Sequence, residues 1–232
     1  MITPLASVLV NRLTGSRTII TRKMQTPPSL TYEQKLKLDD LAERLIASEE
    51  PVTILIDGHE AEISEYLIKK LPNARVVMDG GSLRASNIKL AAWTDYFVVS
   101  EHFARDYMSY RSLSTEAEIK AALIELNKIC RGEAFITLGE KGCAFLKSGM
   151  LQIVPSWLCN AVDTTGAGDV FHGAFTYGVH YSWHIDNIIL FASLTAAISI
   201  EKKGVRESMP DLAVVHHSLN SYERNLTQYF EE

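Results

Sequence analysis

The sequence predicts an α/β fold, a central and mostly parallel sheet covered by helices on both faces. Three observations predict it. The runs Val52–Ile56, Arg75–Met78, Tyr96–Val99 and Ala134–Leu138 are rich in β-branched and apolar residues and lack polar alternation, as strands buried on both faces do. Segments with apolar residues at helical spacing separate these runs. Glycine-containing turns, Asp57-Gly58, Asp79-Gly80-Gly81 and Leu138-Gly139-Glu140, stand at strand ends, and sheets of this class bind ligands beyond their carboxyl ends.

Each element follows in order. Ala6–Val10 and Arg17–Thr21 read as two strands joined at Thr14-Gly15-Ser16. Gln25–Thr31, with Pro27 and Pro28, reads as a linker. Leu38, Leu41, Ala42, Leu45 and Ile46 predict an amphipathic helix over 31–48. A helix through Ile63, Leu67 and Leu71 precedes Arg75–Met78, and a short helix leads to Tyr96–Val99. Two more helices carry the chain to Cys130. After Ala134–Leu138, Cys143–Leu146 and Leu151–Val154 form an antiparallel pair, and the chain from Asp169 onward is mostly helical. Glu33 with Lys37, and Glu116 with Lys120, are spaced to pair on helix surfaces.

Composition narrows the function. The 232 residues are 47% hydrophobic and 22% charged, enough to bury a core without disulfides or structural metals. A net charge of −5 and the lack of a long Lys/Arg run argue against a nucleic-acid partner. The apolar run at Leu5–Val10 stops at Asn11-Arg12, too short for a membrane span. Cys130, Cys143 and Cys159 are odd in number and far apart, which points to buried thiols and a reducing cytoplasm. Trp93, Trp157 and Trp183 read as core or rim aromatics, and His216-His217 as surface.

The chemistry concentrates in Asp163-Thr164-Thr165-Gly166-Ala167-Gly168-Asp169-Val170-Phe171-His172-Gly173-Ala174-Phe175. Gly166–Gly168 predict a turn, because glycine disfavours a helix interior. Val170, Phe171, Ala174 and Tyr177 then fall at helical spacing, so the turn empties into a helix N-terminus. Unpaired amides and the positive end of the helix dipole make such a terminus an anion site. Asp169 in that place is either an N-terminal cap or a catalytic base. His172, one turn on, either packs or faces the pocket.

The stretch Asp163–Asp169 resembles the C-terminal signature of the ribokinase-like (PfkB-type) sugar kinases. Ile136-Thr137-Leu138-Gly139-Glu140-Lys141-Gly142-Cys143 resembles that family's nucleotide-binding loop, although a loop of this length is also a plain hairpin turn. Val77–Gly81, Asp95–Glu101 and Glu201–Val205 resemble further family segments in order, and the likeness runs from about residue 5 to about residue 212. The resemblance implies a three-layer α/β/α fold, with residues 1–24 a partial β lid and 25–232 a nucleotide-binding core. It implies transfer of a phosphoryl group from ATP, with Mg2+, to a hydroxyl of a small sugar. In the family's roles, Asp169 is the base and meets the sugar, and Gly166, Ala167 and Gly168 offer amides to the phosphoryl group. Thr137, Gly139 and Gly142 approach the nucleotide. Asp163 and Thr165 either ligate a monovalent cation such as K+ or cap the turn. Asp169–Phe175 and Gly15-Ser16-Arg17-Thr18 look closest to ketose kinases, including ketohexokinase and sulfofructose kinase.

Two departures stand out. The family's Asn-x-x-Glu element, which helps place magnesium, corresponds here to Ser100-Glu101-His102-Phe103, so no magnesium ligand is assigned. The family's N-terminal strand and Gly-Gly-x-x-x-Asn element have no counterpart, which implies an N-terminally truncated chain, or one whose lost pieces another chain supplies. Uncovered sheet edges then favour association, including a homo-oligomer. The rival function is a catalytically silent nucleotide-binding or interaction protein derived from a sugar kinase. A dinucleotide-binding oxidoreductase is disfavoured because no Gly-x-Gly-x-x-Gly follows the early strands.

Overall fold

A computed structural model describes residues 5–10, 17–22 and 29–219. The chain forms two compact units. One draws on the described parts of Met1–Met24, Ser156–Phe175 and His184–Glu232, the other on those of Gln25–Pro155 and Thr176–Trp183.

The larger unit is built on a six-stranded sheet of Thr53–Ile56 (β3), Arg75–Gly80 (β4), Tyr96–Ser100 (β5), Glu133–Thr137 (β6), Cys143–Lys147 (β7) and Met150–Val154 (β8), in that spatial order. β3 to β6 run parallel, and β7 and β8 add antiparallel. Val76, Met78, Phe97 and Val99 are fully buried, and so are Val77, Val98 and Phe135, which alternate with them along the strands. The central strands are therefore dry on both faces, which explains why they show no polar alternation, whereas the edge strand β8 is largely exposed. On one face Ala85–Ala91 (α3), Glu101–Tyr107 (α4) and Glu116–Asn127 (α5) supply Leu90, Phe103, Leu123 and Leu126 to the core. Phe97 and Phe103 meet edge to face at 5.6 Å.

Local chemistry sets the element ends. Tyr32–Ala47 (α1) and α5 each begin with a capping box, Thr31 with Gln34 and Thr115 with Glu118. Glu33 and Lys37 pair at 2.8 Å. No ion pair joins Glu116 to Lys120 among the described residues; the carboxylate engaged at this helix start is Glu118, which accepts from the Ser114 and Thr115 amides. Ala61–Lys70 (α2) links β3 to β4. β3 is an edge strand with no second neighbour among the described residues. A hollow of about 430 Å³ beside it is lined by Leu45, Val52, Ile54, Leu67 and Leu71, and Leu55 is 42% exposed.

Register brings the carboxyl ends of the parallel strands level. Ile56 stands opposite Met78, Gly80 opposite Val99, and Ser100 opposite Thr137. Asp57-Gly58, Asp79-Gly80 and Thr137 thus end their strands along one margin of the sheet. The link from β6 to β7 is a single 3-10 turn, Gly139–Lys141, closed by the Leu138 amide donating to the Gly142 carbonyl at 2.7 Å.

In the smaller unit, Leu5–Val10 (β1) and Arg17–Arg22 (β2) pair antiparallel, with Val8 opposite Ile19. Their expected turn, Thr14-Gly15-Ser16, lies outside the described residues, as does most of the expected linker. Ile185–Ser199 (α7) is apolar almost all round and buries Ile188, Ile189, Phe191 and Leu194. Ala167–His180 (α6) starts in this unit and ends in the larger one. Residues 212–219 are helical, and His216 and His217 are exposed there.

Two stability outcomes follow. Phe97→Ala, which empties a fully buried aromatic site, should cost about 3–5 kcal/mol in urea unfolding. At Gly142 (φ +101°) an added Cβ would lie 1.9 Å from the Val154 carbonyl oxygen, whereas at Gly139 (φ +59°) it would meet open space. Gly139→Ala should therefore cost about 1–2 kcal/mol, for its left-handed backbone alone, and Gly142→Ala clearly more. Equal losses at both positions would contradict the packing described.

Candidate functional site

The residues singled out from sequence fall into two groups, one in each unit. The first surrounds the head of α6. Gly166 is buried in the left-handed region at φ +77°, and this lets the chain turn into the helix. The helix begins at Ala167, two residues earlier than the glycine pattern suggests: Gly168 and Asp169 lie in its first turn, and Val170 makes the first α-helical bond, to the Gly166 carbonyl at 2.9 Å. One glycine at a helix start costs little, because the amides there have no helical partner in any case. Asp169 is thus the third helical residue rather than the cap, and it is exposed. The Ala167 amide donates back to the Thr164 carbonyl at 3.3 Å, a long bond.

His172 is 2% exposed, which decides for packing over a pocket-facing role. Its Nδ1 lies 2.7 Å from the Gly168 carbonyl, so that nitrogen carries the proton and donates. The ring steadies the first turn of α6 from within. Only its spacing, four residues after Gly168, hinted at this from sequence.

Asp163 organises the approach. Its Oδ1 accepts from the Thr165 amide at 3.0 Å, and its Oδ2 accepts from the Gly204 amide at 3.3 Å. The carbonyl of Ile200, just past α7, accepts from both the Val162 and Asp163 amides at 2.7 and 3.1 Å. The Thr165 hydroxyl oxygen is buried with no hydrogen-bond partner. Such an atom costs about 1–3 kcal/mol unless something else engages it. Sequence reasoning did not single out the role of 200–205 in bracing this turn.

The second group is the β6–β7 loop. Thr137 ends β6 half-buried, and its hydroxyl donates to the Val99 carbonyl at 3.4 Å. Gly139 is exposed. Gly142 is buried, its missing side chain facing Val154 and Pro155, and its amide donates to the Gly139 carbonyl at 3.0 Å. Gly142 therefore shapes the loop, while Thr137 and Gly139 border its open side.

Ser100 stands where an asparagine was expected, and its hydroxyl caps α4 by accepting from the Phe103 amide at 3.0 Å and donates to the Gly81 carbonyl at 2.9 Å. No cluster of three His, Cys, Asp or Glu residues suited to a metal occurs among the described residues. The thiols are poor nucleophiles: burial pushes Cys130 up to about 11 and raises Cys143 and Cys159 as well. Among the described residues no helix is long and apolar enough to cross a membrane.

Comparison with known proteins bears on this geometry. The family model described as pfkB family carbohydrate kinase matches residues 81–212, more than half of the chain. The chain is 29% identical over 189 residues to ribokinase from Lactococcus lactis subsp. lactis (strain IL1403), covering 82% of this chain and 60% of that protein. It thus spans less than two thirds of that relative's length. Among solved structures, ribokinase from Giardia lamblia matches with a TM-score of 0.75 at 21% identity, over 95% of this chain and 72% of that one. Arabidopsis thaliana ribokinase, complexed with ribose and ATP, matches with a TM-score of 0.69 at 21% identity, over 91% and 67%. These two likenesses establish a ribokinase-like α/β fold. With its α6 head inside the matched segment, the chain belongs to the pfkB family of carbohydrate kinases.

Proposed function

We propose that this chain transfers the γ-phosphoryl group of ATP to a hydroxyl of a small sugar. The observation that supports it most is Asp169, an exposed carboxylate in the first turn of α6, directly after the left-handed Gly166. Asp169 takes the proton of the sugar hydroxyl as that oxygen attacks the γ-phosphorus and the bond to the ADP oxygen breaks. The amides of Gly166, Ala167 and Gly168, at the positive end of the helix, offset charge on the moving phosphoryl group. Ala167 can exchange its long bond to Thr164 for one to the anion. Phosphoryl transfer depends on positioning and charge stabilisation, and this turn offers both.

Thr137 and Gly139 border the nucleotide, and Gly142 holds their loop in shape. Magnesium enters with the ATP phosphates. A monovalent cation suits the Asp163–Thr165 segment, where the buried Thr165 hydroxyl lacks a partner and the Asp163 carboxylate is already fixed by two amides. Bound there, the cation would hold the segment ahead of the anion turn. Residues 1–24 would act as part of a lid and the rest as the nucleotide-binding core, in a reducing cytoplasm.

The acceptor we favour is a ketose, on the strength of Asp169–Phe175. Ribose is the second candidate, because the relatives are ribokinases and one holds ribose. ADP release measured across ketoses, ribose and nucleosides decides between them. ATP binding with no release for any acceptor would overturn the proposal in favour of a silent nucleotide-binding protein.

Two variants test the roles. Asp169→Asn should lower kcat by roughly 10²–10⁴ while calorimetric ATP affinity stays within about twofold; wild-type turnover would remove Asp169 as the base. Thr165→Val should abolish stimulation by K+ and leave the K+-free rate nearly unchanged. Retained K+ stimulation would leave Thr165 as a turn residue only.

A further inference from the structure

Gly166 permits the left-handed turn but does not enforce it, since glycine has the widest choice of backbone states. Something must hold it. The segment following α7 does so from one side. It is tied to the strand of chain before the turn by four hydrogen bonds: Asn160 amide to the Glu201 carboxylate, Val162 and Asp163 amides to the Ile200 carbonyl, and Gly204 amide to Asp163. Gly204, itself left-handed at φ +86°, then delivers Val205 against the turn. A Cβ built on Gly166 would lie 2.5 Å from Val205 Cγ1 and 3.2 Å from Cγ2. The branched side chain thus fills the space that only a glycine leaves open, and Gly166 is buried beneath it.

We propose that Val205 is a positioning residue, a wedge that keeps Gly166 left-handed and so aims the amides of 166–168. Its effect on turnover rests on the phosphoryl-transfer role proposed for that turn; its effect on the turn's conformation does not. Asp163 fixes the start of the turn through its two accepted bonds, and Val205 blocks the alternatives at the glycine itself. The wedge needs both γ-carbons, so alanine removes it and isoleucine keeps it. Because Val205 is only half-buried, trimming it takes little from the core.

The test uses the full chain with V205A and V205I. In V205A the amide resonances of 166–169 should shift and exchange with solvent roughly tenfold faster, with a cooperative urea transition retained. Its kcat should fall roughly 10- to 100-fold with KM values for ATP and sugar within about twofold, the signature of mis-aimed donors rather than lost binding. V205I should match wild type in every readout. Unchanged resonances and exchange at 166–169 in folded V205A would overturn the inference, as would V205I as impaired as V205A. Should V205A lose its cooperative transition, V205L, which keeps the apolar volume but has one γ-carbon in place of two, takes its place under the same criteria. If wild type itself releases no ADP with any sugar, the kinase role of the turn fails, and exchange at 166–169 still decides for or against Val205.

Discussion

The Asp163 carboxylate is the constraint on which the α6 head depends. One oxygen accepts from the Thr165 amide just ahead of the turn, and the other accepts from the Gly204 amide forty-one residues on. A short polar side chain thereby joins the entry of α6 to the segment leaving α7. The clamp acts beside two amide bonds to the Ile200 carbonyl, at 2.7 and 3.1 Å, which hold the same two segments together. Without it, a glycine-rich turn would sample many conformations, and a helix N-terminus aims at an anion only if its first residues stay put.

Local order at that helix start comes from several weak restraints acting together. The Gly168 carbonyl is held by His172 from inside the helix, the Gly166 carbonyl by the Val170 amide, and the Ala167 amide by Thr164. Each contributes on the order of 1 kcal/mol. Acting on successive residues, they leave Asp169 as the one exposed carboxylate of a turn whose neighbours are already engaged. These restraints fix the backbone of the first turn, with the Ala167 amide itself spent on the Thr164 carbonyl.

The larger unit contributes a different kind of order. The central strands of its sheet are dry on both faces, so their position is set by packing of residues such as Val76, Phe97 and Ile136 rather than by surface chemistry. The register that packing imposes places Thr137 level with Ser100 at the carboxyl end of neighbouring strands. The β6–β7 loop then adopts its shape because Gly142 passes against the β8 backbone where no side chain fits.

The sequence by itself determined the element order, the parallel strands and the glycine turn leading into α6. Those signals are local: β-branched runs, helical spacing, capping residues such as Thr31 and Thr115, and the Gly-Ala-Gly-Asp stretch each reflect backbone preferences within a few residues. What only the tertiary structure decided depends on groups distant in the chain. The burial of His172 depends on what packs around it, and the packing duty of Gly142 and the brace from 200–205 to Asp163 and Gly166 arise from partners far along the chain, forty-one residues away for Asp163 and Gly204. The unpartnered Thr165 hydroxyl belongs to the same class, since whether a polar atom is satisfied depends on what surrounds it in space. Periodicity and propensity describe what a segment prefers alone; which neighbour presses on it is set by packing, and packing acts only once the chain has folded.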